Sequence, residues 1–171
     1  MRKVVVTFGL IGGAILAVLM MATLPFHDQI GFDRAVYVGY TTMVVAFLMV
    51  YFGVQSYRDN VAGGGVTFGR AVAVGLLISL VIMVCYVVTW EIVYYNFMPD
   101  YLDKYAAHVI EQARQSGASD AAIAEQTRQM ADFKEMFKNP LMFAAFGFLE
   151  PLPVALVFTL VTAGVLSRKR A

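Results

Sequence analysis

Cysteine, histidine and charge are all scarce in this 171-residue sequence. The single cysteine, Cys85, has no partner within the chain, which excludes an internal disulfide framework and C-x-x-C redox chemistry. It reads as a small apolar filler. The two histidines, His27 and His108, fall in separate segments, and neither H-E-x-x-H nor G-x-S-x-G occurs. His108 and Glu111 together supply only two metal ligands, too few to make a site. The sequence therefore predicts no catalytic residue, no bound metal and no cofactor. With 13 Lys and Arg against 12 Asp and Glu, the formal net charge of +1 offers no basic face for nucleic acid.

Apolar surface is what the chain has in abundance. Hydrophobic residues make up 60% and charged residues 15%, whereas soluble domains average about 45–50% and about 25%. The charges are also clustered, so that residues 4–26 and 35–57 contain none and residues 71–97 and 140–167 contain one acid each. A crossing helix needs roughly 20 predominantly apolar residues at a rise of about 1.5 Å each. Each run is long enough, and the sequence predicts four transmembrane helices. The charged start Met1-Arg2-Lys3 has the look of a secretory leader. However, the apolar run that follows exceeds the roughly 7–15 residues of a leader core, and Thr23-Leu24-Pro25-Phe26 has no A-x-A-like cleavage site. It is expected to stay as the first helix.

Cation placement predicts the orientation, because Lys and Arg in short flanking segments are retained in the cytoplasm. One side collects Arg2, Lys3, Arg58, Arg70, Arg168, Lys169 and Arg170 against the lone acid Asp59, while the other holds an acid-rich loop at 27–34 and a long connector in which acids outnumber bases. Both termini are thus expected inside. Trp90, Tyr94, Tyr95 and Phe97 near the outer end of helix three, and Tyr37 and Tyr40 near the outer start of helix two, suit either an interfacial belt or a packed core.

Residues 99–139 read as a short extracytoplasmic hairpin of two amphipathic helices between helices three and four. Asp100 is expected to cap the first, which carries Leu102, Ala106, Val109 and Ala113 at helical spacing and ends at Ser116-Gly117. Ser119 is expected to cap the second, with Ile123, Met130, Phe133 and Phe137 on one side. Asn139-Pro140 then serves as cap and first turn of the fourth span. About 40 residues cannot hold a core of their own, so the hairpin must rest on the outer mouth of the bundle, the lipid interface or a second copy. The chain is accordingly read as one membrane domain, 1–171.

Two kinds of candidate binding residue stand out. Arg58 and Arg70 flank a glycine-rich inner loop that lacks the Lys-Ser/Thr pair of a phosphate loop, and they are placed to touch anionic lipid headgroups. Glu91 and Glu150 lie inside spans, where an ionisable residue is costly and usually faces protein or water. They sit roughly 9 Å and 15 Å below the outer boundary by helical rise. Pro151 and Pro153 free the carbonyls of Gly147 and Leu149, so helix four is expected to bend beside Glu150. A carboxyl next to freed carbonyls is the material of an ion or proton site in which the two acids face each other; the other reading of the same residues is two structural acids, each bonded to a neighbouring helix or solvated by water entering from outside. Gly9 and Gly13, four apart in helix one, fit a close helix contact.

Several segments, in order, resemble one family. They are Tyr57-Arg58-Asp59, Gly63-Gly64, Thr67-Phe68-Gly69-Arg70, Thr89-Trp90-Glu91-Ile92, Gly117-Ala118-Ser119, the run Phe133-Lys134-Glu135-Met136-Phe137-Lys138-Asn139-Pro140, and Phe148-Leu149-Glu150-Pro151-Leu152-Pro153-Val154. Together they resemble the domain of unknown function 4199, small membrane proteins found mostly in Gram-negative bacteria. The resemblance implies four helices, an inner-membrane location and no assigned activity. The resulting expectation is an all-α, four-helix transmembrane bundle with an outer helical hairpin. Its anticipated role is a non-enzymatic accessory or scaffold protein whose partners are the lipid bilayer and, through the hairpin, a second copy or another membrane protein. A proton-coupled conduit using Glu91 and Glu150 and a lipid-binding or lipid-modifying protein are the alternatives.

Overall fold

A computed structural model describes residues 1–167, so the cationic cluster Arg168, Lys169 and Arg170 lies outside the described residues. The chain is all-α. Helix α1 (Arg2–Thr23) passes through a 3-10 turn (Leu24–Phe26) into α2 (His27–Asn60). After these come α3 (Phe68–Phe97), α4 (Tyr101–Gln115), α5 (Asp120–Phe137), α6 (Pro140–Leu149) and α7 (Leu152–Leu166). Among the described residues, three helical stretches are long and apolar enough to cross a membrane: Arg2–Asn60, Phe68–Phe97 and Pro140–Leu166. The segment expected as a loop at 27–34 is instead mostly helical, interrupted only at Gly31 (φ 70°, ψ 161°). That left-handed conformation suits glycine, and it breaks the helical path inside α2 shortly after the 3-10 turn.

The chain divides into two compact units, Met1–Thr89 with the segment from Phe148 onward, and Trp90–Gly147. In the first unit α1 and α2 run antiparallel, since the Gly12 position lies against the Ala46 carbonyl and the Gly53 position against Phe8. Helix α1 runs parallel to α3, with Gly9 on Val81 and Gly13 on Cys85. Helix α7 runs antiparallel to α3, as the pairs Ser79–Thr159 and Tyr86–Glu150 require. The buried stripe of α2, Met43, Ala46, Phe47, Val50, Gly53 and Val54, has the three-and-four spacing of one helix face. Phe47 reaches Phe158 of α7 across it.

The outward faces are no less apolar. Leu48, Leu76, Leu80, Val84, Val157, Leu160 and Val161 are all exposed, while Ser79, Thr159 and Thr162 are buried. A helix apolar all round is one made for a buried or lipid surrounding, and here the small polar groups point inward and the hydrocarbon outward.

In the second unit α4 ends as expected. Gly117 adopts φ 78°, with Ala118 N–H donating to Ala113 O and Gly117 N–H to Arg114 O, the two bonds of a Schellman turn. The Ser119 hydroxyl caps α5 by accepting from Ala122 N–H at 3.3 Å, and the Asn139 side chain accepts from Leu141 N–H at 2.9 Å. Asp100 departs from expectation. It occupies the cap position of α4 without a side-chain cap bond, because its carboxylate pairs with Lys104 at 3.0 Å one turn on. Helices α4 and α5 are tied by an ion pair from Lys134 to Asp103. Phe133 and Phe137 of α5 pack on Phe146 and Phe143 of α6, and Tyr101 of α4 meets Trp90 of α3 edge-on. Tyr101 of α4 and Phe133 and Phe137 of α5 thus bring these helices against the neighbouring ends of α3 and α6.

Candidate functional site

The most chemically distinctive place in the apolar region is the interruption between α6 and α7. Pro151 and Pro153 have no N–H to continue the ladder, and the helix stops at Leu149 and resumes at Leu152, leaving Glu150 and Pro151 between. The helix is thus interrupted at the acid itself. There the Tyr86 hydroxyl of α3 donates to Glu150 Oε2 at 2.5 Å. Tyr86 itself is buried and only 6% exposed, so the phenol brings its donor to the acid from within the packed helices.

A second polar contact lies along the same seam. Ser79 Oγ and Thr159 Oγ1 are 3.3 Å apart and fully enclosed. Gly75, one turn earlier on α3, presses on the Thr159 side chain, where an added Cβ would lie 3.0 Å from its methyl. Thr162 continues the inward face of α7. The seam between α3 and α7 thus carries Tyr86 with Glu150 and, roughly 10 Å along the helix axis, Ser79 with Thr159.

Glu91 belongs to the Trp90–Gly147 unit and is half-buried on α3, between Trp90 and the exposed Ile92. Of the interfacial aromatics, Trp90 and Tyr94 enter ring contacts with Tyr101 and Phe143, whereas Tyr37 and Phe97 are left open at 75% and 59% exposure. The belt and the packed core each claim some of them.

Arg58 and Arg70 sit where α2 ends and α3 begins. The connecting turn needs glycine, since Gly63 and Gly64 adopt φ values of 70° and 93°. The Arg58 guanidinium grips Asp59 with two bonds, Nε to Oδ1 at 2.7 Å and Nη2 to Oδ2 at 3.2 Å. Arg70 Nε donates to the Tyr57 hydroxyl at 3.0 Å and its guanidinium lies 5.9 Å from that ring's centre. Thr67 caps α3 through Oγ1 to the Arg70 N–H at 3.4 Å. Both cations therefore have protein partners that fix them at this end of the helices.

Elsewhere, Glu111 is engaged by Gln115 at 3.0 Å and Arg114 at 3.9 Å. Among the described residues, no three His, Cys, Asp or Glu side chains gather as a metal-binding group. Tyr86, Ser79 and Thr159 were not singled out by sequence reasoning. Each is an isolated polar residue inside an apolar run, a visible signal, but which of them meet depends on helix rotation and register.

The family described as Protein of unknown function (DUF4199) matches residues 7–168. No curated protein matches the chain, and no solved structure does.

Proposed function

The chain belongs to this family of unknown function, and on that premise we propose that it is a multi-pass membrane protein acting as a non-enzymatic accessory or scaffold protein. Four crossings are inferred. The stretch Arg2–Asn60 has 59 residues, about 88 Å at helical rise against a hydrocarbon core of about 30 Å. With its break near Gly31 and its antiparallel fold-back it supplies two crossings, and α3 and the α6–α7 stretch supply one each. Cation placement argues for both termini on the cytoplasmic side of a bacterial inner membrane, with α4 and α5 forming an outer hairpin that meets a second copy or another membrane protein.

The observation that carries the scaffold reading is the bond from Tyr86 to Glu150. The acid at the weakest point of the fourth crossing is engaged by a neighbouring helix, which is what a packing device looks like. The buried Ser79–Thr159 pair favours a second reading, a proton-coupled conduit in which Glu150 hands protons to a polar seam along α3 and α7. Purified protein in liposomes carrying a pH-sensitive dye separates the two. The scaffold reading expects proton flux equal to empty liposomes, with Glu150→Gln and Tyr86→Phe altering only thermal stability. Flux above background that Glu150→Gln abolishes while the fold stays intact would replace it with the conduit.

A further inference from the structure

At the Arg58 end of α2 an open groove of about 420 Å³ is lined by Phe8 of α1 and by Met49, Phe52, Gln55, Ser56 and Asp59 of α2. Met49, Phe52, Ser56 and Asp59 recur at three- and four-residue intervals, so they form one stripe along the helix. The stripe is graded. Its deep end is aromatic and aliphatic, and its last turn is amide, hydroxyl and carboxylate, at the place where the charge-free run 35–57 gives way to Arg58. That order, hydrocarbon and then polar groups over roughly 15 Å, is the order of a phospholipid from upper acyl chain to headgroup.

The charges at the polar end narrow the class. Asp59 lines the groove and bonds Arg58 beside it, so the rim presents a carboxylate next to a guanidinium. An anionic headgroup would meet the carboxylate first. A headgroup with a primary ammonium beside its phosphate presents the opposite charges in the opposite order. The ammonium can donate to Asp59 and to the Ser56 and Gln55 side-chain oxygens, and the phosphate can lie toward Arg58. We propose that this groove is a binding site for one amine-bearing phospholipid of the leaflet next to Arg58, with its upper acyl chain against Phe8, Met49 and Phe52. The site rests on the membrane reading above and adds to it a lipid of defined headgroup.

The test is native mass spectrometry of the full chain released from nanodiscs containing equal amounts of phosphatidylethanolamine and phosphatidylglycerol. The expected result is one retained lipid, enriched in phosphatidylethanolamine by roughly two- to fivefold, the range that a solvent-facing ion pair supports. Asp59→Asn is expected to remove the enrichment while leaving the helical circular dichroism unchanged. As a second readout, Phe52→Trp should be quenched more strongly by bromine-labelled phosphatidylethanolamine than by the labelled phosphatidylglycerol. Equal retention and equal quenching, or an enrichment that Asp59→Asn preserves, would overturn the site while leaving the membrane reading intact. A chain that stays monodisperse in plain buffer without detergent would instead overturn the membrane reading beneath it.

Discussion

A methyl group added at Gly13 would sit 2.5 Å from the Cβ of Cys85, and one at Gly9 would sit 2.6 Å from the Cβ of Val81. Neither neighbour is the free end of a flexible chain, so helices α1 and α3 would have to part. We expect Gly9→Ala and Gly13→Ala each to lower stability by about 1–3 kcal/mol, the usual range for overpacking. Gly39→Ala and Gly164→Ala have open space around the new carbon and should be neutral or stabilising by up to about 1 kcal/mol, because alanine is the better helix former. Thermal unfolding in one detergent checks all four, and equal losses would show that α1 and α3 are not in close contact. At Tyr86, removal of the hydroxyl should cost about 0.5–3 kcal/mol as a lost hydrogen bond to Glu150. A double-mutant cycle of Tyr86→Phe with Glu150→Gln should show that the two effects do not add. The glycine spacing in α1 was legible in the sequence because small residues four apart are visible without a partner. The Tyr86 contact was not, since a hydroxyl reveals its acceptor only when two helices take a fixed rotation.

Among the elements, α4 and α5 show how local chemistry decides an end. The turn at Gly117 and the caps at Ser119 and Asn139 could be read from residue type, because each bonds to its own chain within a few positions. Asp100 could not, since a lysine one turn on competes for the same carboxylate. The hydrogen bond from Lys104 is the main cause that holds the Asp100 carboxyl below the usual aspartate range. A lowered folded value means that the pair's support for α4 is complete above the unfolded pKa of about 3.9 and fades as pH falls through the lower folded value. Carboxyl NMR should place the Asp100 midpoint below that of a model peptide, and Lys104→Met should return it to the ordinary range. An unchanged midpoint in that variant would mean that the pair does not persist in solution. Ser119→Ala should cost about 0.5–2 kcal/mol as a lost cap, and Asp100→Ala less. A peptide covering residues 100–139 lacks the aromatic contacts that Phe133 and Phe137 make on α6. It should be largely disordered in water and gain helix in micelles; a cooperative thermal transition in plain buffer would show that it folds alone.

At the scale of the whole molecule, the sequence carried the helical class and the apolar runs because each is a property of consecutive residues. It missed the helical character of 27–34, where polar and charged side chains read as a loop but only Gly31 leaves helical geometry. The α3–α7 seam and the graded groove on α2 were likewise out of reach, since both arise from how helices are rotated against one another. The proposed four crossings of the bilayer, with the Arg58 end inside, are the central claim. Single cysteines at Asn60 and Ser116, each in a Cys85→Ala background, test this most directly in cells exposed to a membrane-impermeant thiol reagent. Ser116→Cys is predicted to label in intact cells and Asn60→Cys only after the membrane is opened; the reverse pattern, or labelling of both from the same side, would contradict the account.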